Sequence, residues 1–331
     1  MTPEQRKAGS PGVLEHLKAR FKGSALGTFV GDALGRPVEG WSSQMIRAAY
    51  GLLGRMKEGV YTDDTEMMIG IMESLVESPR FDPELTSRRF LANFDPHRGY
   101  GGRIFGVMER LRCGVAWNEA GTDSWGNGGA MRIAPIGFFY YDLPGRLREA
   151  AHACTWITHQ HPLGLAGGLA QAKAVALATL KGISREALER AEFVDTLSET
   201  VRSVSEDMAR AIERVKEIRR GRDLRETIER IASRFPCDIS ALGAVPPALA
   251  SFLLAESFRD TLVVAVNCGG DTDTIGAMAG ALAGAYYGYG EIPCEWLGSL
   301  ENGPKGRDYV ASLAEKLAEI KSREAGQEAR S

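Results

Sequence analysis

Only five cysteines occur in 331 residues, and none forms a C-x-x-C pair. Neither a zinc ribbon nor a disulfide framework is therefore indicated, and a reducing cytoplasm is the expected compartment. Net positive charge is missing as well. Forty Lys and Arg against 43 Asp and Glu leave a balance of −3, which argues against a polyanion binder that relies on overall charge. The opening MTPEQRKAGSPG is polar, so export by a standard signal peptide is not expected. Strand-like runs are scarce: only 262–266 has the β-branched density of a strand, and a parallel α/β sheet needs several such runs. The chain has no Ser/Gly/Pro-rich linker and no repeat of fixed period. It also lacks G-x-x-x-x-G-K-[ST], G-x-S-x-G and H-E-x-x-H, and the glycines at 126–129 lack the third position of G-x-G-x-x-G.

What is present reads mostly at helical period. With 44% apolar and 25% charged residues the composition is that of an ordinary soluble protein long enough to bury a large core. After Asp64, the residues Met67, Ile71 and Leu75 form one apolar stripe and Met68, Met72 and Val76 the next, as in a buried helix. Similar patterns run over 14–35, 102–112, 146–157, 163–180, 194–219, 223–233, 246–258 and 307–322. These predict an all-α, compact single-domain helical bundle over 13–322, with 184–234 as peripheral helices and polar, frayed ends at 1–12 and 323–331. The uncharged stretch 274–289 steps Gly276, Gly280, Gly284 and Gly288 at i, i+4, like a small-xxx-small membrane helix. It falls short of the roughly 18–20 residues needed to span a bilayer, and two aspartates precede it. It reads as a close-packed central helix, and no membrane partner is expected.

Glycine is in excess, 39 of 331 residues, or about 12% against a usual 7%. Its clusters at 27–40, 99–106, 126–129 and 269–270 lie beside or near acidic residues or Asn, where backbone can approach a ligand closely. Two acidic clusters each open an apolar helix: Tyr61-Thr62-Asp63-Asp64-Thr65 and Gly269-Gly270-Asp271-Thr272-Asp273-Thr274. One such cluster is explained by helix capping alone. Four carboxylates and several hydroxyls converging from two helix starts would instead concentrate hard oxygen donors, which suit Mg²⁺ or Mn²⁺ rather than zinc. An EF-hand beginning at Asp271 fails, because Leu282 stands where the loop requires Glu. The Gly126-Asn127-Gly128-Gly129 run has the look of an anion nest of backbone N–H groups.

Taken together, Gly31-Asp32-Ala33-Leu34-Gly35 followed by Glu39, the two acidic clusters, Trp125-Gly126-Asn127-Gly128-Gly129-Ala130-Met131-Arg132 and Thr158-His159 resemble an ADP-ribosylglycohydrolase. The five blocks occur in family order and span residues 31–274. The resemblance implies an all-α fold with a binuclear Mg²⁺ or Mn²⁺ cleft that takes the ribose end of ADP-ribose. It implies Thr62, Asp63, Asp64, Asp271, Asp273 and Thr274 as metal ligands, and Glu39 as the residue handling protons at the scissile bond. Ser124, Trp125, Gly126, Asn127, Gly128, Gly129 and Met131 match the segment that wraps the diphosphate and terminal ribose. His159 and Gly101, the latter in a Gly-Tyr-Gly-Gly loop with Tyr100, match ligand contacts. The implied partners are an ADP-ribosylated protein or small-molecule acceptor, with ADP-ribose as product. Charge does not indicate nucleic acid, although an ADP-ribosylated nucleic-acid end stays open. A nucleoside-type ribosyl hydrolase and a non-catalytic, crystallin-like member are the alternative readings.

Several residues have a plainer reading beside the functional one. Trp125 is either core or a cover for a sugar or base. Asp32 reads as a packing residue behind the ligands or as a further ligand, and Asp95, between Phe94 and Pro96, as a turn former or a further carboxylate of the cleft. His159 and His161, two apart, do not share a helix face, so a joint metal site is not expected.

Overall fold

The computed structural model describes residues 11–328. Residues 1–10 of the expected N-terminal segment 1–12 and 329–331 of the tail 323–331 lie outside the described residues. Seventeen α-helices and no β-strand occur among the described residues, which agrees with the all-α expectation.

The centre of the molecule is a pair of helices, α1 (Pro11–Gly35) and α15 (Thr272–Tyr287). Both carry glycine every fourth residue on the face they share. A Cβ on Gly27 would lie 2.1 Å from the Gly280 carbonyl oxygen, and one on Gly280 would lie 2.0 Å from that of Gly27. Gly31 meets Gly276 and Gly23 meets Gly284 in the same way, so the helices run antiparallel with backbone against backbone. The stretch 274–289 is thus buried at the core, as its composition suggests. This register sets the end of α1 beside the start of α15, where Thr272 Oγ1 donates to the Gly35 carbonyl. A 3-10 turn, Arg36–Val38, then delivers Glu39 next to Asp271.

A third helix, α3 (Asp63–Glu77), docks its acidic start on the same end of α1. Its N-cap residue Thr62 makes no side-chain cap of its own. Asp32 of α1 caps it instead, accepting from the Thr62 N–H (3.0 Å), the Thr65 N–H (3.1 Å) and the hydroxyls of Thr62 (2.9 Å) and Thr65 (2.6 Å). A carboxylate at a helix N-terminus satisfies free amides and the dipole together. This places Asp32 behind the acidic cluster, as a packing residue.

Around this frame lie α5 (Gly102–Arg112), the one-turn α6 (Gly128–Met131), α8 (Pro144–Trp156), α9 (Pro162–Ser184), α13 (Ala241–Leu254) and α14 (Phe258–Asn267). Helix α9 is long and apolar enough to cross a membrane by length and composition, yet 78% of its apolar window is buried inside the protein. It is a core helix. The segment 262–266, which reads as a strand, lies within α14. Ser257 caps that helix by accepting from the Asp260 N–H, and full burial of Leu262, Val264 and Val266 outweighs the modest helix penalty of β-branched residues.

The run 194–219 is likewise not one helix. It divides into α10 (Arg190–Arg202) and α11 (Glu206–Glu213) because Ser205 caps a new helix at Met208 N. With α12 (Leu224–Ala232) these cover the outer side of α9, α13 and α14. The run 246–258 also misplaces its boundaries: α13 starts at Ala241, capped by Ser240, and carries Pro246 and Pro247 inside it. Finally, α17 (Arg307–Glu328) continues past residue 322 into the polar tail, where Arg, Glu, Ala and Gln are good helix formers.

Candidate active site

Two of the three isolated β-bridges among the described residues, Thr122 with His159 and Gly126 with Ser240, tie together loops around one cleft, and the third, Ser42 with Gly269, ties the loops that carry Glu39 and Asp271 to its wall. This cleft of about 300 Å³ is lined on one side by Glu39, Asp63, Asp64, Asp271, Asp273 and Thr274. The opposite side is formed by Gly101, Ser124, Trp125, Gly126, Asn127, Gly128, Met131 and His159. The structure therefore brings together residues from across the chain that the motifs single out separately.

Local backbone explains the acidic side. Gly269 and Gly270 have φ of +82° and +74°, the region glycine adopts without strain. A Cβ on Gly270 would sit 1.7 Å from the Cys237 carbonyl oxygen. The two glycines let the chain pair with 40–41 through Gly40 N to Gly270 O (2.8 Å) and Gly270 N to Trp41 O (2.7 Å). Asp271 follows, with its N–H held by Cys237 O and its Oδ2 accepting from Asn127 Nδ2 at 2.6 Å. Carboxylate oxygens of Glu39, Asp271 and Asp273 all lie within 4.8 Å of one another. Thr274 Oγ1 is 3.5 Å from Asp64 Oδ2, and Asp64 Oδ1 is buried with no hydrogen bond.

Thr62 differs from the other five expected ligands. It lies behind the cleft wall, where its hydroxyl faces Asp32 at 2.9 Å and Asp64 at 3.2 Å. It has one proton to give to these two carboxylates.

Crowding of carboxylates in a desolvated corner raises their proton affinity. Burial, then the charge of Asp32, holds Asp63 and Asp64 well above the ordinary carboxylate range. Burial, then Asp64 and Asp271, does the same for Asp273. Burial and then Asp271 raise Glu39, although its residue is solvent-exposed at the cleft rim. In Asp32, burial outweighs the hydrogen bonds from Thr65 and Thr62 and moves the carboxyl from 3.8 to about 6.

A group whose folded pKa exceeds its unfolded value stabilises the fold below the unfolded value, and that contribution is lost as pH rises through the folded one. For Asp32 the window runs from 3.8 to about 6. In chelator, unfolding free energy is expected to fall by on the order of 3 kcal/mol across it from this group alone. Denaturant titrations at several pH values check this, and stability that climbs between pH ~4 and ~6 would refute it.

The opposite wall is built around His159. Burial, then Arg132 and Arg103, pushes its pKa down to about 3, so the ring is neutral at physiological pH. Arg132, fully buried, donates to Thr158 Oγ1 at 2.6 Å, and Thr158 Oγ1 lies 2.7 Å from His159 Nδ1. An arginine can only donate, so the Thr158 hydroxyl proton is free for Nδ1, an arrangement that would put the ring proton on Nε2. That nitrogen lies under the glycine loop, where a Cβ on Gly128 would be 2.9 Å away. The amides of Gly126 and Asn127 are taken by Ser124 Oγ and Ile239 O. Those of Gly128 and Gly129 donate to nothing among the described residues, which narrows the expected nest to these two.

Trp125 is 44% exposed at the rim, which excludes the core reading. Beside it is Ile239, 65% exposed and also lining the cleft. Sequence reasoning misses Ile239, because nothing local marks an isoleucine preceding a helix cap. It also passes over Arg132, whose role depends on a contact with Thr158. Gly129 packs on Thr155 and lies just behind the lining.

Asp95 is not a cleft carboxylate. Its Oδ1 accepts from His97 N (3.0 Å), a side-chain turn, its Oδ2 lies 3.9 Å from Arg98 Nε, and neither residue lines the cleft. Tyr100 is buried with its hydroxyl donating to Glu66, so it anchors that loop on α3 and does not line the cleft. His161 caps α9 by accepting from Leu163 N.

Fold and site define an all-α protein whose acidic, oxygen-donor cleft faces a glycine-rich loop. The chain belongs to the ADP-ribosylglycohydrolase family, whose sequence profile matches residues 14–326. It is 35% identical to an uncharacterised protein of Archaeoglobus fulgidus over 93% of this chain and 98% of that protein. It is 32% identical to the ADP-ribosylhydrolase ARH3 of Gallus gallus over 86% of this chain and 89% of the relative. The Homo sapiens ARH3 is likewise 32% identical, over 91% of this chain and 93% of its own length. A solved structure named an ADP-ribosylglycohydrolase-related protein complex superposes with a TM-score of 0.73 at 30% identity, covering 93% of this chain and 99% of the other.

Proposed function

We propose that the chain hydrolyses the ribosyl bond of ADP-ribosylated acceptors and releases ADP-ribose, using two divalent cations, Mg²⁺ or Mn²⁺. The supporting observation is the convergence of Glu39, Asp63, Asp64, Asp271 and Asp273 from three separate elements onto one wall of a cleft. Asp63, Asp64, Asp271, Asp273 and Thr274 would hold the cations from the cleft wall, and Thr62 from behind it through the hydroxyl oxygen that lies 3.2 Å from Asp64 Oδ2. The donor set fits them: all are hard oxygens, and a buried, unpartnered Asp64 Oδ1 among like charges is costly without a counter-ion. When bound, such cations supply Lewis-acid polarisation of ribose hydroxyls and acidification of a water.

The residues of the chain supply the rest. Cleavage develops oxocarbenium character at the ribosyl carbon and needs a proton for the leaving group. Glu39 would keep or give that proton, a role supported by its position at the rim and its raised pKa. The unpartnered amides of Gly128 and Gly129 suit the diphosphate without a basic patch. His159 offers Nε2–H to a ligand oxygen, and the exposed faces of Trp125 and Ile239 offer apolar contact to a purine base.

Glu39→Gln should lower kcat by about a hundredfold or more while ADP-ribose affinity changes less than about threefold. Steady-state kinetics with calorimetric ADP-ribose binding separates the two. A large affinity loss at unaltered turnover would make Glu39 a binding residue. The reaction itself is tested by ADP-ribose release from arginine-linked, serine-linked and nucleic-acid-linked substrates with Mg²⁺, Mn²⁺ or chelator. Cation-dependent release from one linkage is expected. ADP-ribose binding without release from any of them would favour a non-catalytic member, and release of a base from nucleosides a nucleosidase.

A further inference from the structure

A second cleft, about 600 Å³ and larger than the first, lies on the other side of the acidic wall. Consecutive residues of that wall face opposite clefts. Glu39 lines the first and Gly40 the second; Asp271 lines the first and Gly270 the second. At the far end the same division falls between Ile239 and Cys237. Glu39 and Gly40 are both exposed, so the wall reaches solvent at a ridge between the two linings. If ADP-ribose occupies the first cleft and Glu39 serves the leaving group, the acceptor departs over this ridge toward the second. This step rests on the function proposed above.

The second cleft has a mixed lining. Trp41 and Pro236 give it apolar surface, with the buried Ile228 beneath them. Arg47 is paired with Glu229, while Arg225, exposed on α12, makes no hydrogen bond or ion pair among the described residues. A continuous polyanion needs clustered Lys and Arg, and Glu229 at the lining works against one. A peptide with a single acidic side chain among apolar ones suits one unpaired cation on an apolar floor.

We propose that this cleft binds the acceptor polypeptide beside its ADP-ribosylated residue, with Arg225 recognising an acidic flanking side chain. Three substrates of the same linkage test it: a modified peptide with acidic flanks, the same peptide with alanine flanks, and an ADP-ribosylated amino acid with no peptide. The wild type should favour the acidic peptide in kcat/KM, and Arg225→Glu should cut that rate roughly tenfold by replacing attraction with repulsion. The peptide-free conjugate, unaltered in rate, reports that the variant is folded and its chemistry intact. Equal wild-type rates on the two peptides would overturn the proposal, as would an equal loss on the peptide-free conjugate. So would Arg225 dependence found on a nucleic-acid-linked substrate and not on peptide. If no conjugate is cleaved, the proposed function fails by itself. Fluorescence anisotropy of the unmodified acidic peptide then decides the cleft: weaker binding to Arg225→Glu supports it, and no binding to the wild type overturns it.

Discussion

Asp273→Asn is expected to reduce cation-dependent activity by about a thousandfold or more, the equivalent of roughly 4 kcal/mol of transition-state stabilisation, while the protein stays folded. Asp273 is buried against Asp64, Asp271 and Glu39, and that surrounding raises its pKa far above the ordinary value. Asparagine is nearly isosteric and keeps the oxygen that accepts the Thr274 N–H at 2.9 Å. What it removes is one charge from a corner that already holds too many. The metal-free variant should therefore be no less stable than the metal-free wild type at neutral pH, and up to about 2 kcal/mol more so. Elemental analysis, activity and denaturant unfolding check the three parts. Unchanged cation content would sink the assignment of Asp273 as a ligand.

Gly280→Val should cost at least about 4 kcal/mol, enough to abolish the native fold of a marginally stable domain. The first added carbon would lie 2.0 Å from the Gly27 carbonyl oxygen. The clashing atoms belong to the backbone of α1, which cannot give way as the end of a side chain can; the Leu262 side chain, at 3.4 Å, is at ordinary contact distance. The helices would have to separate along their length, and with them the ends that carry Glu39 and Asp271. Circular dichroism and thermal unfolding test this, with Gly290→Ala as the contrast. No heavy atom lies within 4 Å of a Cβ at Gly290, so that change should stay within about 0.5 kcal/mol. A folded Gly280→Val protein with unchanged Tm would show that the close approach of α1 and α15 is not needed.

The acidic clusters are legible in the sequence because a doubled Asp at a helix start is a local signal, and the apolar periodicity that follows is another. The helical class is legible for the same reason where a helix has one buried face, while the central α1, α9 and α15 are apolar nearly all round and show length and composition more than a 3.6-residue pattern. The misread segments are those where burial decides. At 262–266 the β-branched residues point to a strand, but a serine cap and a core on all sides make them helix. His161 has the residue type of a ligand and the position of a cap, and only its distance to Leu163 N tells the two apart.

By itself the sequence determines an all-helical chain, the oxygen-donor chemistry of the acidic clusters, and the glycine loop that can approach an anion. Tertiary structure alone decides that glycines at i, i+4 on α1 meet those on α15. The spacing is visible on both helices, but partner and register depend on contacts about 250 residues apart. It decides that Asp32 caps a helix other than its own, that Asp95 stays outside the cleft lining, and that Ile239 stands at its rim. Those roles belong to distances across the fold, and a chain read in order carries no record of them.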